Sequence, residues 1–268
     1  MSTTSNQGTT ALVTGASSGI GYELAKLFAR DGYGLVLVAR DRQRLVRTAD
    51  EFNRSFGIDV RIIAKDLSSP TAAEEILKEL QQSSVRIDVL VNNAGYGVYG
   101  PFAETDSAEE LGMIQTNLVS LTQLTKELLT PMVKRGSGKI LNVASTAAFQ
   151  PGPLMAVYYA SKAYLLSFSE ALANELQGSG VTVTVLCPGP TVTEFQKRAR
   201  MERSKHFSWA GPLNADRVAR IGYRGMMKGK TVVIPGLINK LLAFSVRFSP
   251  RKMVTWIVRR MQEERNTA

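Results

Sequence analysis

The stretch TALVTGASSGIG, residues 10–21, decides the fold of this chain. Its first five residues are β-branched or apolar, which is typical of a strand buried on both faces. Three glycines follow at positions 15, 19 and 21, and apolar residues from Ile20 to Phe28 recur at helical spacing. The segment therefore predicts a strand, a glycine turn and a helix in direct succession.

The three glycines have the spacing of a dinucleotide-binding turn. Gly15 permits a tight turn, Gly19 lets the backbone approach a pyrophosphate, and Gly21 lets the helix pack closely on the sheet. The amides at the helix start and the positive end of the helix dipole would face the phosphates. An ordinary glycine turn is the alternative for the motif alone, but its place after the first strand of an alternating series favours the nucleotide site.

The rest of the chain continues this alternation. Seven apolar runs predict strands at 10–14, 34–39, 60–64, 88–92, 139–144, 181–186 and 231–234. Amphipathic stretches predict helices at 19–31, 41–55, 70–83, 107–135, 155–178 and 215–228. The fourth of these opens with a capping-box pattern from Ser107 to Glu110. We therefore expect an α/β fold, a doubly wound seven-stranded parallel sheet with helices on both faces.

The same pattern predicts the domain organisation. Residues 1–8 are polar and indicate a flexible N-terminal tail, 9–236 form a single α/β domain, and 237–268 form a basic amphipathic helical extension. The one cysteine, Cys187, excludes an intramolecular disulfide, and no apolar leader opens the sequence. These features favour a cytoplasmic protein.

The formal net charge of +10 raises the question of partners. A basic surface serves solubility, but it also suits phosphate-bearing ligands or an anionic membrane surface. The chain has no lysine-rich run, zinc-ligand spacing or interleaved aromatic stripe of the kind found in nucleic-acid binders. We therefore expect no nucleic-acid partner.

The end of the second predicted strand, Val38-Ala39-Arg40, bears on the choice of nucleotide. A carboxylate there would bind the free ribose 2′-hydroxyl of NAD, whereas an arginine can pair with the 2′-phosphate of NADP. Arg40, with no acid at position 39, predicts NADP, and NADPH preferred over NADH. Ser17 is a further phosphate donor. Asp41 would either orient Arg40 or cap the next helix.

Tyr158 and Lys162 stand four residues apart in a helical stretch, so their side chains share one face about one turn apart. A nearby ammonium favours the phenolate and would lower the tyrosine pKa from its ordinary value of about 10. The pair could then exchange protons near neutral pH. Taken alone, such a pair is more often structural than catalytic.

The order of these motifs resembles the classical short-chain dehydrogenase/reductase family over about residues 10 to 236. Thr14-Gly-x-x-x-Gly-x-Gly21 is similar to its glycine motif, Asn92-Asn-Ala-Gly95 to the motif after its fourth strand, and Tyr158-x-x-x-Lys162 to its catalytic motif. Ser145 and Asn117 stand at the family's usual spacing. The resemblance implies a Rossmann-type catalytic domain and an oxidoreductase acting on a carbonyl or secondary alcohol.

The resemblance also implies a role for each of four residues. Tyr158 would exchange a proton with the substrate oxygen while hydride passes to or from the nicotinamide, and Ser145 would polarise that oxygen. Lys162 would lower the tyrosine pKa and bind the nicotinamide ribose. Asn117 would hold a water that links Lys162 to solvent. The preferred reaction is reduction of a ketone or 3-oxoacyl group; the alternative is a non-catalytic dinucleotide-binding sensor or membrane-anchored protein, which would need no proton relay.

Further cofactor contacts carry over from the family. Asp66 would bind the adenine, and Asn92 and the Ala94–Gly95 backbone, after the fourth strand, would also contact the cofactor. Thr191 or Thr193, after Pro188-Gly-Pro190, would lie near the carboxamide and pyrophosphate. The expected cofactor-binding set is Gly15, Ser17, Ser18, Gly19, Ile20, Gly21, Arg40, Asp66, Leu67, Asn93, Ala94, Gly95, Tyr158, Lys162, Pro188, Gly189, Thr191 and Thr193. No metal is expected. His206 is the only histidine, so a Ser-His-Asp hydrolase has little support.

The segment 194–214 is expected to be the lid over the substrate. Its basic residues are Lys197, Arg198, Arg200, Arg203 and Lys205. These residues would suit an acidic or phosphate-bearing substrate, such as an acyl-CoA thioester. The alternative is a basic loop that is only solvated.

The extension 237–268 carries seven Lys or Arg and two Glu, a net charge of +5. Its apolar stripes are Leu237, Ile238, Leu241 and Leu242, then Met253, Val254, Ile257, Val258 and Met261. Proline and charge interrupt it too often for it to span a bilayer. Packing on the domain, contact with an anionic membrane, cover of the pocket and docking on another subunit all remain open. The resemblance implies a homo-dimer or homo-tetramer, paired through helices 107–135 and 155–178.

Overall fold

The seven predicted strands form one parallel sheet in a computed structural model, which describes residues 8–199 and 211–263. The strands of the described residues are β1 (Thr10–Thr14), β2 (Gly34–Ala39), β3 (Val60–Ala64), β4 (Val89–Asn92), β5 (Gly138–Val143), β6 (Val181–Leu186), β7 (Thr191–Val192), β8 (Leu213–Asn214) and β9 (Val232–Val233). Of these, β7 and β8 lie outside the large sheet. The order of the large sheet is β3-β2-β1-β4-β5-β6-β9. The expected Rossmann-type α/β class is confirmed.

A second, two-stranded parallel sheet pairs β7 with β8, and the sequence pattern did not predict it. Each of these strands is only two residues long, too short to show a hydrophobic period. The pair joins the two ends of the expected lid segment, whose residues 200–210, with Arg200, Arg203, Lys205 and His206, lie outside the described residues. The expected tail at 1–7 also lies outside them.

Helices cover both faces of the sheet. They are α1 (Gly19–Arg30), α2 (Arg42–Phe56), α3 (Ala72–Gln82), α4 (Ser107–Ile114), α5 (Leu121–Arg135), α6 (Ala156–Glu175), α7 (Phe195–Arg198), α8 (Ala215–Met227), α9 (Leu237–Ser245) and α10 (Arg251–Gln262). The Asp41 side chain accepts a hydrogen bond from Arg44 N at 3.0 Å, so Asp41 caps α2. That observation decides between the two roles expected for Asp41.

The predicted helix 107–135 is interrupted. A π-helical segment, Gln115–Ser120, separates α4 from α5, and such segments are often found at functional sites. The capping prediction was also wrong: Asp106, rather than Ser107, is the N-cap and accepts from Glu109 N at 2.9 Å. The Asp106 carboxylate one residue earlier meets the same free amides, so Ser107 is already inside the first turn.

The core consists of two layers separated by the sheet. On one face Ala11 and Val13 pack with Phe28 and Tyr223 from α1 and α8. On the other face Leu12 packs among residues of α3 and α5. Because successive strand residues point to opposite faces, a run of uninterrupted apolar residues in each strand serves both layers.

The C-terminal extension is only partly packed. Val254 and Val258 of α10 are buried beside Tyr159, whereas Leu237 and Leu241 of α9 are 72% and 60% exposed. A short 3₁₀ turn, Val246–Phe248, joins the two helices. Within the residues that the structure describes, no helix is both long and apolar enough to cross a membrane.

Candidate active site

A cavity of about 900 Å³ lies at the carboxyl ends of the parallel strands, where the sheet order reverses between β1 and β4. Its nucleotide half is formed by the glycine turn at 15–20 and by residues 38–41, 65–67 and 93–95. Every residue of the expected cofactor set lines this cavity except Gly21. Its substrate half is formed by Met155, Tyr158, Tyr159, Phe195 and Gln262.

The glycine turn is shaped by contacts with the loop after β4. A Cβ on Gly15 would lie 2.7 Å from Asn93 Nδ2, and Gly15 has a φ of +65°, which disfavours other residues. A Cβ on Gly21 would lie 2.3 Å from both Asn93 Nδ2 and Gly15 O. Gly21 thus lies behind the cavity, where it lets α1 approach the Asn93 side chain. Asn93 Nδ2 fixes the turn by donating to Thr14 O at 2.9 Å.

The start of α1 faces this half of the cavity. Ser18 occupies the N-cap position, but its side chain accepts no capping hydrogen bond from the described amides of α1. The first amides of a helix have no partner within the helix, so they are available to an anion in the cavity. The space left by the glycines, which have no side chains, and these free amides together fit a pyrophosphate.

The far end of the nucleotide half is basic. Arg40 Nη1 lies 3.6 Å from Asp66 Oδ2, and the Arg40 side chain is 60% exposed. Arg44, which sequence reasoning missed, also lines the cavity and donates twice to Glu194, at 2.8 and 2.9 Å. These bonds lower the pKa of the Glu194 carboxyl. An exposed guanidinium with no carboxylate at position 39 fits a ribose 2′-phosphate.

The basic lid residues have mixed surroundings. Lys197 and Arg198 line the cavity, and Arg198 Nη2 lies 2.9 Å from Glu194 Oε2. Glu194 therefore offsets part of the positive charge that the sequence placed in this segment.

Ser145, Tyr158 and Lys162 line one wall between the two halves. The Ser145 hydroxyl lies close enough to Tyr158 to favour its phenolate form. Lys162 Nζ lies 5.7 Å from the centre of the Tyr158 ring and donates to Val143 O at 3.0 Å. Tyr158 and Lys162 are 9% and 6% exposed, so both are buried although they border the cavity.

Burial, rather than the ammonium, dominates the pKa of Tyr158. It raises this pKa well above the ordinary value, against the opposing effect of the nearby Ser145 hydroxyl. Burial also lowers the pKa of Lys162 to about 8. The lowered tyrosine pKa that the spacing predicts is therefore outweighed by burial in this geometry.

Asn117 lies in the π-helical segment, behind the cavity wall. Its Oδ1 accepts from Tyr96 N at 3.2 Å, and its Nδ2 donates to Tyr96 O at 3.0 Å and to Ser161 Oγ at 3.1 Å. A Cβ on Gly95 would lie 2.9 Å from Asn117 Oδ1 and 3.4 Å from Lys162 Nζ. Asn117 thus lies near Lys162, with both hydrogens of its amide donated to protein oxygens.

The two asparagines after β4 have different surroundings. Asn93 lines the cavity, whereas Asn92 is buried in the sheet, where its Nδ2 donates to Thr125 Oγ1 and Asn142 Oδ1, both at 2.9 Å. The expectation that Asn92 contacts the cofactor was wrong, because successive residues at the end of a strand point to opposite sides.

The loop after β6 closes the cavity from above. Thr191 Oγ1 donates to Gly189 O at 2.9 Å, and Thr193 Oγ1 accepts from Phe195 N at 3.2 Å. The Thr193 methyl would lie 3.1 Å from a Cβ on Gly19, so Thr193 reaches the glycine turn. Of the two threonines, Thr193 is the one beside the pyrophosphate side of the cavity.

The substrate half includes residues that sequence reasoning did not place there. The Tyr158 and Phe195 rings lie 5.3 Å apart, and Met155 lies on the same wall. Gln262, the last residue of α10, enters from the C-terminal extension. Its only sequence signal is a four-residue spacing after Val254 and Val258, which marks a helix face but not the surface on which it packs.

Three comparisons with known proteins agree with this geometry. The family model for the short chain dehydrogenase matches residues 9–204. The chain is 37% identical to the ketoacyl reductase HetN of Nostoc over 182 residues, which cover 68% of this chain and 63% of that protein. It thus spans just under two thirds of the length of that relative.

Two solved structures are similar over most of the chain. A short-chain dehydrogenase from Sphingobium yanoikuyae in complex with NADPH has a TM-score of 0.81 and 33% identity, covering 90% of this chain and 93% of that one. A bulky-bulky ketone specific alcohol dehydrogenase from Comamonas testosteroni has a TM-score of 0.77 and 27% identity, with coverages of 97% and 96%.

Proposed function

Because the chain belongs to the short chain dehydrogenase family, we propose that it is an NADP-dependent oxidoreductase that reduces a ketone or 3-oxoacyl group of a small molecule. The observation that carries this proposal is the wall formed by Ser145, Tyr158 and Lys162, in one cavity with the glycine turn and Arg40. The name of the Nostoc relative, a ketoacyl reductase, and the NADPH in the Sphingobium structure support it.

The catalytic step follows from the position of Ser145 and Tyr158 on one wall of the cavity. A carbonyl oxygen that takes a place beside both hydroxyls accepts hydrogen bonds from both, and its developing negative charge is stabilised. Bound NADPH supplies the hydride to the carbonyl carbon. Tyr158 Oη gives its proton to the oxygen, and its raised pKa keeps that proton in place until the oxygen becomes basic.

Lys162 supports the proton transfer from Tyr158. Its Nζ is fixed by Val143 O beside the Tyr158 ring, so an ammonium there would stabilise the phenolate formed on proton transfer. Its pKa of about 8 allows it to give up and regain a proton near neutral pH. We assign to Asn117, which lies near Lys162, the water through which Lys162 is reprotonated from solvent.

The cofactor is held by the nucleotide half in this proposal. The amides at the start of α1 would bind the pyrophosphate, Arg40 would pair with the 2′-phosphate, and Asp66 would bind the adenine. Arg44 is a second cation near Arg40, available if it leaves Glu194. This arrangement is the basis for expecting NADPH to be preferred over NADH.

The test is NADPH oxidation at 340 nm against a panel of neutral ketones, diketones and 3-oxoacyl thioesters, with NADH as a control. The proposal predicts turnover that prefers NADPH and that is lost in Tyr158→Phe. If NADPH binds tightly and no substrate is turned over, the chain is a non-catalytic dinucleotide-binding protein. Comparing thioesters with neutral ketones also decides whether the basic lid recruits an acidic substrate.

A second role is favoured by the exposed face of the extension: contact with an anionic membrane surface. Its apolar side chains with more than half of their surface exposed are Leu237, Ile238, Leu241, Leu242, Phe244, Phe248 and Trp256. Basic residues lie among them, and the Arg260 guanidinium lies 5.4 Å from the Trp256 ring. An apolar face flanked by cations suits the interface of an anionic bilayer. We therefore propose a cytoplasmic enzyme that binds the inner face of a membrane peripherally.

Sedimentation with vesicles tests this role. The full chain is expected to pellet with vesicles that contain phosphatidylserine and to remain in solution with neutral phosphatidylcholine vesicles. Phe248→Glu should abolish pelleting, whereas Phe102→Glu, at a residue of similar exposure outside the extension, should not. Equal behaviour of the two variants would contradict membrane contact through the extension.

We propose that the chain forms a homo-dimer or homo-tetramer through α4, α5 and α6. Leu111 and Val119 are 62% and 46% exposed along this face, and Tyr164 Oη is hydrogen-bonded to Thr122 Oγ1 at 2.8 Å, joining α5 to α6. Sedimentation equilibrium should give a mass of at least two chains, and Leu111→Glu should lower it.

A further inference from the structure

The C-terminal helix brings a polar group without a partner to the substrate half of the cavity. Gln262 is 1% exposed, and its Nε2 donates to Tyr159 Oη at 2.6 Å. Its Oε1 is buried and has no hydrogen-bond partner among residues 8–199 and 211–263. A buried amide oxygen left unpaired is unfavourable, so its presence at the wall of a cavity indicates a ligand that donates to it.

The position of Gln262 is fixed from several sides. Tyr99 Oη donates to the main-chain oxygen of Gln262 at 2.6 Å. Val254 and Val258, two turns and one turn earlier on the same face of α10, are buried in the apolar cluster that contains Tyr158 and Tyr159. The helix end is thus held at its backbone and along its packed face, and the carboxamide can turn away only by giving up its hydrogen bond to Tyr159 Oη.

The surroundings of the carboxamide are mainly apolar. Met155 and Phe195 form much of this half, and both are within reach of Gly97, where a Cβ would lie 2.7 Å from Met155 Cε and 3.1 Å from Phe195 Cζ. Ser145 and Tyr158 are already assigned to the reacting oxygen. The Gln262 oxygen is therefore an acceptor available to a second polar group of a substrate whose body is apolar.

We propose that Gln262 is a specificity-determining residue that accepts a hydrogen bond from a hydroxyl or N–H substituent of the substrate. The substrate class is then a ketone with an apolar body and a hydrogen-bond donor separate from the carbonyl. The inference rests on the proposed function for the reacting group, but the contact with Gln262 does not require turnover. Gln262 lies outside residues 9–204, so it belongs to this chain's own extension and not to the matched family core.

The test measures binding and turnover separately on the full chain. Acetophenone, its three ring-hydroxylated isomers and the matching fluoroacetophenones are titrated calorimetrically into protein saturated with NADP⁺. In the wild type, the best hydroxylated isomer should bind about tenfold more tightly than its fluoro analogue, as expected for one hydrogen bond to a buried acceptor. In Gln262→Leu the ratio should fall to near one while acetophenone still binds.

Three further variants keep the test decisive. Gln262→Met replaces Gln262→Leu if the latter lowers the melting temperature. Gln262→Glu keeps an oxygen at the free end while Tyr159 Oη donates to the other, so it should restore the preference for the hydroxylated ketone. Glu263→Gln, at the next residue, is the control and should behave as the wild type.

The outcomes separate the two proposals. An unchanged ratio in Gln262→Leu, or no preference for any hydroxylated isomer in the wild type, overturns the role of Gln262. A preference that depends on Gln262 without oxidation of NADPH by any ketone supports the contact and contradicts the proposed reduction.

Discussion

The two halves of the cavity are built in different ways. The nucleotide half is built around backbone and small residues at the ends of β1, β2, β3 and β4, where a Cβ at Gly15 or Gly21 would overlap Asn93, with Arg40 and Arg44 at its far end. The substrate half consists of large side chains from α6, α7 and α10, which are far apart in the chain. The first half depends on local motifs that leave room for a ligand; the second depends on where distant segments pack.

The largest expected effect separates chemistry from nucleotide binding. Tyr158→Phe should lower kcat/KM for ketone reduction by about 10²–10⁴-fold, since it removes the proton donor. NADPH should still bind, because the nucleotide half is unchanged. Steady-state rates and NADPH fluorescence titration check both, with Tyr164→Phe on the same helix as control. If Tyr158→Phe kept the rate of the wild type, the assignment of the chemistry to Tyr158 would be contradicted.

A smaller effect is expected at the basic end of the nucleotide half. Arg40→Ala should weaken NADPH binding by about 10–100-fold, the value of a hydrogen bond between charged groups, and leave NADH binding unchanged. Arg42→Ala is the matched control, because Arg42 is exposed and is not among the residues that line the cavity. Equal losses for NADPH and NADH would contradict a 2′-phosphate contact.

Two glycines with the same backbone conformation sharpen the comparison further. Gly15 and Gly57 have φ of +65° and +64°, but only Gly15 has neighbours within 4 Å of a new Cβ. Gly57→Ala should cost about 1 kcal/mol of unfolding free energy and leave NADPH binding alone. Gly15→Ala should in addition weaken NADPH binding by about tenfold or more, through the overlap with Asn93. Melting curves and NADPH titrations of both variants check this. Equal NADPH affinities of the two variants would contradict the role of Gly15 in shaping the nucleotide half.

The smallest effect concerns Lys162, at the junction of the halves. Its pKa is about 8 in the folded chain and 10.5 when unperturbed, so between these values the unfolded chain binds more protons. The free energy of unfolding should therefore rise with pH in this window. Below pH 8 it is lowered by the full cost of burying the ammonium. Relative to Lys162→Met, the wild type should gain about 1 kcal/mol from pH 7 to 9 in urea titrations. A fall in this difference would contradict the burial of the amine.

The nucleotide half could be predicted almost completely from sequence. Glycine spacing, the strand end at Arg40 and the loop from Asn93 to Gly95 are local signals, and the strand order brings them together. Asn92 was misplaced because two adjacent asparagines carry the same signal, and only the direction of the strand decides which one lines the cavity. Likewise, spacing placed Lys162 next to Tyr158 but could not show that burial would dominate the pKa of both.

The substrate half could not be predicted in this way. Gln262 is 104 residues after Tyr158, and an amphipathic helix pattern does not show on which surface the helix packs. The apolar stripes of the extension looked equivalent in the sequence, yet Val254 and Val258 are buried while Leu237 and Leu241 are exposed. The π-helical segment around Asn117 left no mark in the hydrophobic period either.

Transfer of deuterium tests the proposed reduction most directly. NADPH labelled at C4 of the nicotinamide, in each epimer separately, is incubated with the protein and the best ketone of the panel, and the alcohol is analysed by mass spectrometry. We predict that one epimer delivers deuterium to the carbinol carbon and that Tyr158→Phe forms almost no labelled alcohol. An alcohol without deuterium from either epimer, or NADPH that binds without forming any alcohol, would contradict the account.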